Sequence, residues 1–197
     1  VINRFACFCA PLEGSDLPFI NETGGGPARL PLIISHGWPG SIVEFLEIIE
    51  PLAHPERFGG TSEDAFDVIA PSLPGFGFSG RPPRPIGPRK IAGLFATLMT
   101  DVLEYPSYLA QGGDWGGAIS SWLGFEHAPA CRAIHINIFT MRPPDGPQGQ
   151  EEEAWAIKFK RDQAMEDGYR TQQATKPQNL NQARMDSPAG VPCWMFY

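Results

Sequence analysis

The sequence predicts an α/β fold in which helices flank a mostly parallel sheet. Short apolar segments that resemble buried strands alternate with helix-like stretches between residues 30 and 140. Glycine and proline, present 22 and 21 times, fall between these segments and mark tight turns. Such alternation is typical of parallel strands that are joined by crossover helices.

The predicted strands are short and rich in apolar residues. We expect them at Leu30–Ser35, Phe66–Pro71, 107–110 and 132–139. The first two are nearly continuous apolar runs, and this pattern favours strands that a parallel sheet buries on both faces.

Helices are expected at residues 42–52, 89–103 and 116–127. Ser41 is the expected N-cap of the first helix, with Glu44 as its capping-box partner. The apolar residues of this helix lie on one predicted face, which we expect to be buried: Ile42, Phe45, Ile49 and Leu52.

Composition limits the possible partners. A 42% hydrophobic content predicts that the chain builds a core, and a length of 197 residues favours one main core. The net charge of −7 disfavours nucleic acid and anionic membrane surfaces. The apolar runs are far shorter than the ~20 residues that span a bilayer, so no membrane span is expected in these residues. The expected location is cytoplasmic, and a membrane anchor in a missing N-terminal segment is the alternative. Four cysteines make no dense disulfide framework and show no zinc-site spacing, which favours reduced structural thiols.

The stretch Gly-Gly-Asp-Trp-Gly-Gly at residues 112–117 follows a predicted strand and opens a predicted helix. This context is typical of a nucleophile elbow, in which flanking glycines are required because a Cβ would collide where the helix passes the strand. Asp114 occupies the position of the nucleophile. A carboxylate is already anionic at neutral pH, so it suits attack on a saturated carbon through an ester intermediate. A glycine-rich turn with an incidental aspartate is the alternative.

A second candidate element is the stretch His-Gly-Trp-Pro-Gly-Ser at residues 36–41. In this architecture the loop after an early strand contributes a backbone N–H to the oxyanion hole. We therefore expect the backbone N–H groups of Trp38 and Trp115 to be the two donors. A simple strand-ending turn is the alternative.

These motifs resemble those of the epoxide hydrolases of the α/β-hydrolase superfamily, in particular the microsomal type. The resemblance covers most of the chain and rests on five separated blocks in the same order: 36–41, 65–80, 111–117, 168–177 and 186–190. It implies an α/β-hydrolase fold, an aspartyl-ester mechanism that opens epoxides to diols, and no metal or cofactor. It also implies a cis peptide bond between Trp38 and Pro39.

The resemblance further implies that a tyrosine of a helical cap donates to the epoxide oxygen, and Tyr169 matches it. A phenol can carry the developing alkoxide charge, although ordinary packing is an alternative role for a cap tyrosine. Trp155, Phe159 and Trp194 are candidates for an apolar pocket for a small epoxide, or they serve only in packing.

The sequence departs from the family pattern because none of its four histidines, His36, His54, His127 and His135, follows the predicted cap. No base that activates water can therefore be assigned, and a second cap tyrosine is also unassigned. We expect residues 1–29 to be a remnant of an N-terminal segment, 30–140 the first half of the hydrolase core, and 141–197 an incomplete helical cap. The chain is thus expected to be a fragment that lacks a C-terminal part.

Two other functions fit the same motifs. A haloalkane-type dehalogenase also uses an aspartate on the elbow, but Tyr169 favours epoxide opening. A catalytically inactive relative that binds a small apolar ligand is consistent with the unassigned base. The sequence does not predict an oligomeric state.

Overall fold

The computed structural model describes residues 2–27, 29–138, 144–187, 189–190 and 192. The chain divides into two compact units, residues 1–140 and 141–197. In the first unit the strands are β1 (Cys7–Leu12), β2 (Ser15–Glu22), β3 (Leu30–Ser35), β4 (Phe66–Pro71), β5 (Tyr108–Gly112) and β6 (Cys131–Ile136). Its α-helices are α1 (Ile49–Ala53), α2 (Pro88–Thr97) and α3 (Trp115–Glu126).

The six described strands form one mixed sheet in the order β1-β2-β4-β3-β5-β6. The pairs β4/β3, β3/β5 and β5/β6 are parallel, as expected for strands joined by crossovers. The pairs β1/β2 and β2/β4 are antiparallel. The sequence did not predict the hairpin of β1 and β2, because Pro11 and Pro18 interrupt its alternating pattern.

Both faces of the central strands are covered. Ile33 and Ile69 pack on one face in a cluster with α2 and α3. Their chain neighbours Leu32, Ile34 and Val68 pack on the other face, against the segment that includes α1. Successive side chains of a strand point to opposite faces, so this burial confirms the doubly covered strands that the apolar runs predict.

The predicted helix over 42–52 is wrong as one continuous element. The chain forms a 3-10 turn at Ile42–Phe45 and then the short helix α1. Pro51 explains the break, because in a continuous helix its ring would clash with the carbonyl of Glu47. The predicted cap is confirmed, since the Ser41 side chain accepts the Val43 N–H, and the predicted apolar face is buried or partly buried.

The other helices and strands predicted for the first unit are present, but they begin or end at different residues. The helix predicted at 89–103 is α2 followed by a π-helical turn at Leu98–Val102. The strand predicted at 132–139 ends at Ile136, and Phe139 lies outside the described residues. Within the described sheet β6 is an edge strand, and residues 132–135 are exposed.

The second unit is helical in its described part, as its polar pattern predicts. It contains α4 (Gln150–Glu166), α5 (Gly168–Thr175) and α6 (Pro177–Asp186). No helix in the described portions of either unit is long and apolar enough to cross a bilayer.

We expect Ile33→Ala to destabilise the protein by about 2–5 kcal/mol, because the removed atoms come from a fully buried site and leave a cavity. Chemical denaturation monitored by circular dichroism measures the change. Ile48→Ala is the control, since Ile48 is 42% exposed and its truncation should cost much less. Equal losses for the two variants would contradict the described core.

Candidate active site

The candidate site lies at the carboxyl ends of β3 and β5. The chain leaves β3 for β4 on one side and later returns to β5 on the other side, so the strand order reverses at this point. Loops that follow such neighbouring parallel strands form a crevice that commonly binds ligands. Ser35 and Gly112 are register partners, and the segments that follow them are therefore adjacent.

Asp114 occupies the predicted elbow between β5 and α3. Its backbone has φ 50° and ψ −122°, a conformation that non-glycine residues rarely adopt. The side chain is exposed, so the turn presents the carboxylate outward instead of burying it. The predicted strand-to-helix placement of Asp114 is confirmed.

Glycine is required at the positions around Asp114 because neighbouring atoms approach the backbone closely there. A Cβ on Gly116 would overlap the carbonyl oxygen of Ser35, and a Cβ on Gly112 would overlap the backbone of Gly116. Across the site, a Cβ on Gly37 would lie 2.5 Å from the Cβ of Asp114. The collisions expected of an elbow are therefore found where α3 begins.

The carboxylate of Asp114 is held by one of the two predicted donors. The Trp38 N–H donates to Asp114 Oδ1 over 2.8 Å, and the predicted cis bond between Trp38 and Pro39 is present. Trp115 opens α3, where the first N–H groups have no partner within the helix. Among residues 29–138 no hydrogen bond joins the Trp115 N–H to this carboxylate, so its donor role stays a prediction.

His36 holds the loop that carries Trp38. Its imidazole is buried, and Nε2 accepts the N–H of Leu73 over 2.9 Å. Because an amide N–H can only donate, Nε2 must be the unprotonated ring nitrogen. Nδ1 therefore carries the proton and donates it to the Gly37 carbonyl over 2.9 Å. Burial lowers the pKa of His36, which keeps the ring neutral.

No hydrogen bond or ion pair among the described residues joins the other three histidines to Asp114. His54 Nε2 lies 3.1 Å from Glu22 Oε1. His127 ends α3, and His135 is exposed on β6. None of the four histidines, all of which are described, is placed to activate water beside Asp114.

Glu44 is a site residue whose importance the sequence did not reveal. A Cβ on Gly40 would overlap Glu44 Oε1, so the carboxylate lies against the loop over residues 36–41. Partial burial raises the pKa of Glu44, and the negative charge of Asp114 adds to this, while the nearby backbone of Gly37 and Ser41 lowers it. The capping-box pattern predicted a place for Glu44 near Ser41, but no local signal predicted its interaction with Asp114.

The remaining candidates belong to the second unit. Trp155 and Phe159 stack on α4 with ring centroids 4.9 Å apart, and Trp155 is 60% exposed. Tyr169, in α5, is 49% exposed. Trp194 lies outside the described residues. No group of three or more histidine, cysteine, aspartate or glutamate residues in the described segments could hold a metal ion.

The family model described as "alpha/beta hydrolase fold" matches residues 31–183, so the chain belongs to the α/β-hydrolase family. The model described as "Epoxide hydrolase N terminus" matches residues 1–45.

Solved structures and curated sequences agree with this assignment. The structure of Aspergillus niger epoxide hydrolase is 32% identical with a TM-score of 0.74, over 98% of this chain and 51% of that one. Juvenile hormone epoxide hydrolase from the silkworm Bombyx mori is also 32% identical, with a TM-score of 0.70, over 98% and 45% of the two chains. Epoxide hydrolase 1 of Sus scrofa is 30% identical over all of this chain and 48% of its own length.

The chain spans about half the length of the curated relatives that it matches. The resemblance to epoxide hydrolases is confirmed, and the comparisons do not favour a dehalogenase.

We expect Gly116→Ala to destabilise the protein by about 3 kcal/mol or more, because the new methyl group meets backbone that must move. Gly93→Ala is the matched control in α2, where nothing lies within 4 Å of the added Cβ. It should be neutral or stabilise by up to about 1 kcal/mol. Urea denaturation of both variants compares them, and a neutral Gly116→Ala would contradict the described elbow.

Proposed function

We propose that this chain carries the epoxide-opening step of an epoxide hydrolase, with Asp114 as the nucleophile. The observation that carries the proposal is a carboxylate on a strained elbow, exposed and held by the Trp38 N–H at 2.8 Å. This bond occupies Oδ1 and leaves Oδ2 available for attack. The names of the relatives support the same chemistry.

In the first step, Asp114 Oδ2 forms a bond to an epoxide carbon while the bond between that carbon and the ring oxygen breaks. The ring oxygen leaves as an alkoxide and takes the proton of the Tyr169 hydroxyl. The products are an alkyl ester of Asp114 and a tyrosinate. A phenol suits this role because it donates to the oxygen as negative charge develops there.

In the second step, water attacks the carbonyl carbon of the ester, and a base must take its proton. The tetrahedral oxyanion would accept the N–H groups of Trp38 and, as predicted, Trp115. Collapse of this intermediate breaks the bond between the acyl carbon and the alkoxy oxygen, and the leaving alkoxide takes the proton of the new carboxylic acid, which releases the diol and the carboxylate. The proton held by the base then returns to the tyrosinate, so the step balances.

The base of the second step is not found among the four histidines of these 197 residues. Both ring nitrogens of His36 already have partners, and His54 is paired with Glu22. We therefore propose that an epoxide alkylates the 197-residue chain once and that the chain does not complete further catalytic cycles.

The proposed substrate is a small apolar epoxide, with Trp155 and Phe159 contributing apolar surface. The exposed stack of these two rings supports that role. No cofactor is required by the two steps above. The cytoplasmic location stays a prediction.

Incubation with styrene oxide should add one adduct to Asp114, and the adduct should persist for hours. Loss of general-base assistance slows ester hydrolysis by roughly 10²- to 10⁴-fold. Intact-mass spectrometry followed by peptide mapping locates the adduct. Asp114→Asn is the control and should remain unmodified, because a neutral amide is a poor nucleophile.

Sustained diol production by the purified chain would contradict the account of the histidines. An adduct elsewhere, with Asp114 unmodified, would contradict the assignment of the nucleophile.

Tyr169→Phe should slow formation of the adduct by about 10- to 1000-fold, because the leaving oxygen loses a proton donor. Single-turnover kinetics with quenched-flow mass spectrometry measures the rate. Tyr197→Phe is the control, because Tyr197 is the other tyrosine in residues 141–197. An unchanged rate in Tyr169→Phe would indicate that Tyr169 serves only in packing.

A further inference from the structure

Asn137 follows β6 and lies beside the chain that leads into the elbow. Its backbone N–H donates to the Gly112 carbonyl over 3.2 Å, which continues the pairing of β5 with β6 one residue beyond the end of β6. Its side-chain Oδ1 accepts from Gln111 Nε2 over 3.1 Å. A Cβ on Gly113 would lie 3.5 Å from the Cβ of Asn137. Asn137 therefore lies against each of the three residues that precede Asp114.

The two residues immediately before Asp114 are glycines. Asp114 has φ 50° and ψ −122°, and such a rare conformation persists only where the surrounding structure fixes it. Gly112 and Gly113 have the widest choice of backbone conformations of any residue type. Unless these glycines are fixed, rotation of their backbone would relieve the strain at Asp114 and turn its carboxylate away from the site.

The chain after Asp114 is already fixed by α3. The Asp114 carbonyl accepts the N–H groups of Gly117 and Ala118 over 3.1 and 3.3 Å. Gly116 lies against the Ser35 carbonyl, where no Cβ would fit. The chain before Asp114 has no helix to hold it, so its position depends on the neighbouring segments of the sheet.

Strand pairing explains only the backbone contact of Asn137. Any residue except proline could donate its N–H to the Gly112 carbonyl. The contact with Gln111, in contrast, requires a side-chain acceptor at position 137. The Oε1 atom of Gln111 is buried without a partner in the described part of the chain, so the bond to Asn137 is the hydrogen bond that orients this side chain there. The side chain of Asn137 thus adds a restraint that the sheet itself does not need.

We propose that Asn137 is a positioning residue that holds residues 111–113, so that the elbow keeps the Asp114 carboxylate on the Trp38 N–H. The inference rests on the proposed function of Asp114. Asn137 itself touches no substrate in this account. Loss of its side-chain acceptor should therefore lower the maximum rate of alkylation and leave the half-saturating epoxide concentration unchanged.

Asn137→Leu and Asn137→Asp separate the hydrogen bond from side-chain packing. Leucine has a similar size but no acceptor, whereas aspartate keeps the size and an oxygen that accepts from Gln111. Gln111→Met removes the donor at the other end of the same bond. His135→Ala is the matched control, since His135 is exposed on the same strand two residues before Asn137.

The first readout is the maximum rate of adduct formation with styrene oxide in the full 197-residue chain, in salt of about 0.15 M to screen the charge that aspartate adds. Asn137→Leu should be slower by about 10-fold or more, because small misplacements of reacting groups are costly. Asn137→Asp and His135→Ala should stay within about threefold of the parent chain. A parent-like rate in Asn137→Leu, or equal losses in Asn137→Leu and Asn137→Asp, would overturn the proposal.

A double variant tests whether the two side chains act through one bond. Gln111→Met combined with Asn137→Leu should be slower than the slower single variant by no more than about twofold, because each single change already breaks the bond. Losses that multiply in the double variant would overturn the proposal. If Asn137→Leu does not fold, as judged by circular dichroism, Gln111→Met takes its place in the rate comparison.

The second readout does not depend on the chemistry. The Trp38 amide proton, assigned by its loss in Trp38→Phe after nitrogen-15 labelling of tryptophan, reports its hydrogen bond to Asp114. It should move upfield in Asn137→Leu and in Gln111→Met and stay in place in Asn137→Asp; an unmoved signal in both of the first two would overturn the proposal. If the parent chain forms no adduct, the proposed function fails, and the Trp38 signal still tests the positioning role.

Discussion

The close approach of α3 to the carboxyl end of β3 places Asp114 against the loop that carries Trp38. At Gly116 the helix passes so near the Ser35 carbonyl that no Cβ fits between them. This contact brings the elbow against the loop that follows β3. Asp114 and the Trp38 N–H can then meet at 2.8 Å, although they are 76 residues apart in the chain.

Two carboxylates, on different segments, lie against the loop over residues 36–41. Asp114 accepts the Trp38 N–H, and Glu44 lies against the same loop, where partial burial and the charge of Asp114 raise its pKa. Alkylation would convert Asp114 into a neutral ester and remove this repulsion. Fixed backbone donors suit both the carboxylate and the later oxyanion, since they need no reorganisation when charge develops.

Local patterns predicted most of the first unit. The apolar runs at β3 and β4 and the glycines of the elbow are patterns visible within a short stretch of sequence, and the structure confirms the elements that they predict. Pro51 breaks the helix predicted over 42–52, an effect that the periodicity of the apolar residues conceals. The β1/β2 hairpin was missed because its prolines obscure the strand pattern.

Contacts between distant segments were the least predictable part of the site. Asp114 was found from its glycine-rich context, and Trp38 from the loop after β3. The bond of His36 to Leu73 and the place of Glu44 against the loop over residues 36–41 depend on tertiary packing and on the exact path of the loop. No spacing in the sequence predicts either of these contacts.

The central claim is that Asp114 forms an ester that is cleaved at its carbonyl carbon. The most direct test starts from the isolated styrene oxide adduct and releases it under mild alkali in water enriched in oxygen-18. Attack at the carbonyl carbon should place the heavy oxygen in the peptide that contains Asp114 and leave the released diol unlabelled. A labelled diol with an unlabelled Asp114 peptide would contradict the account.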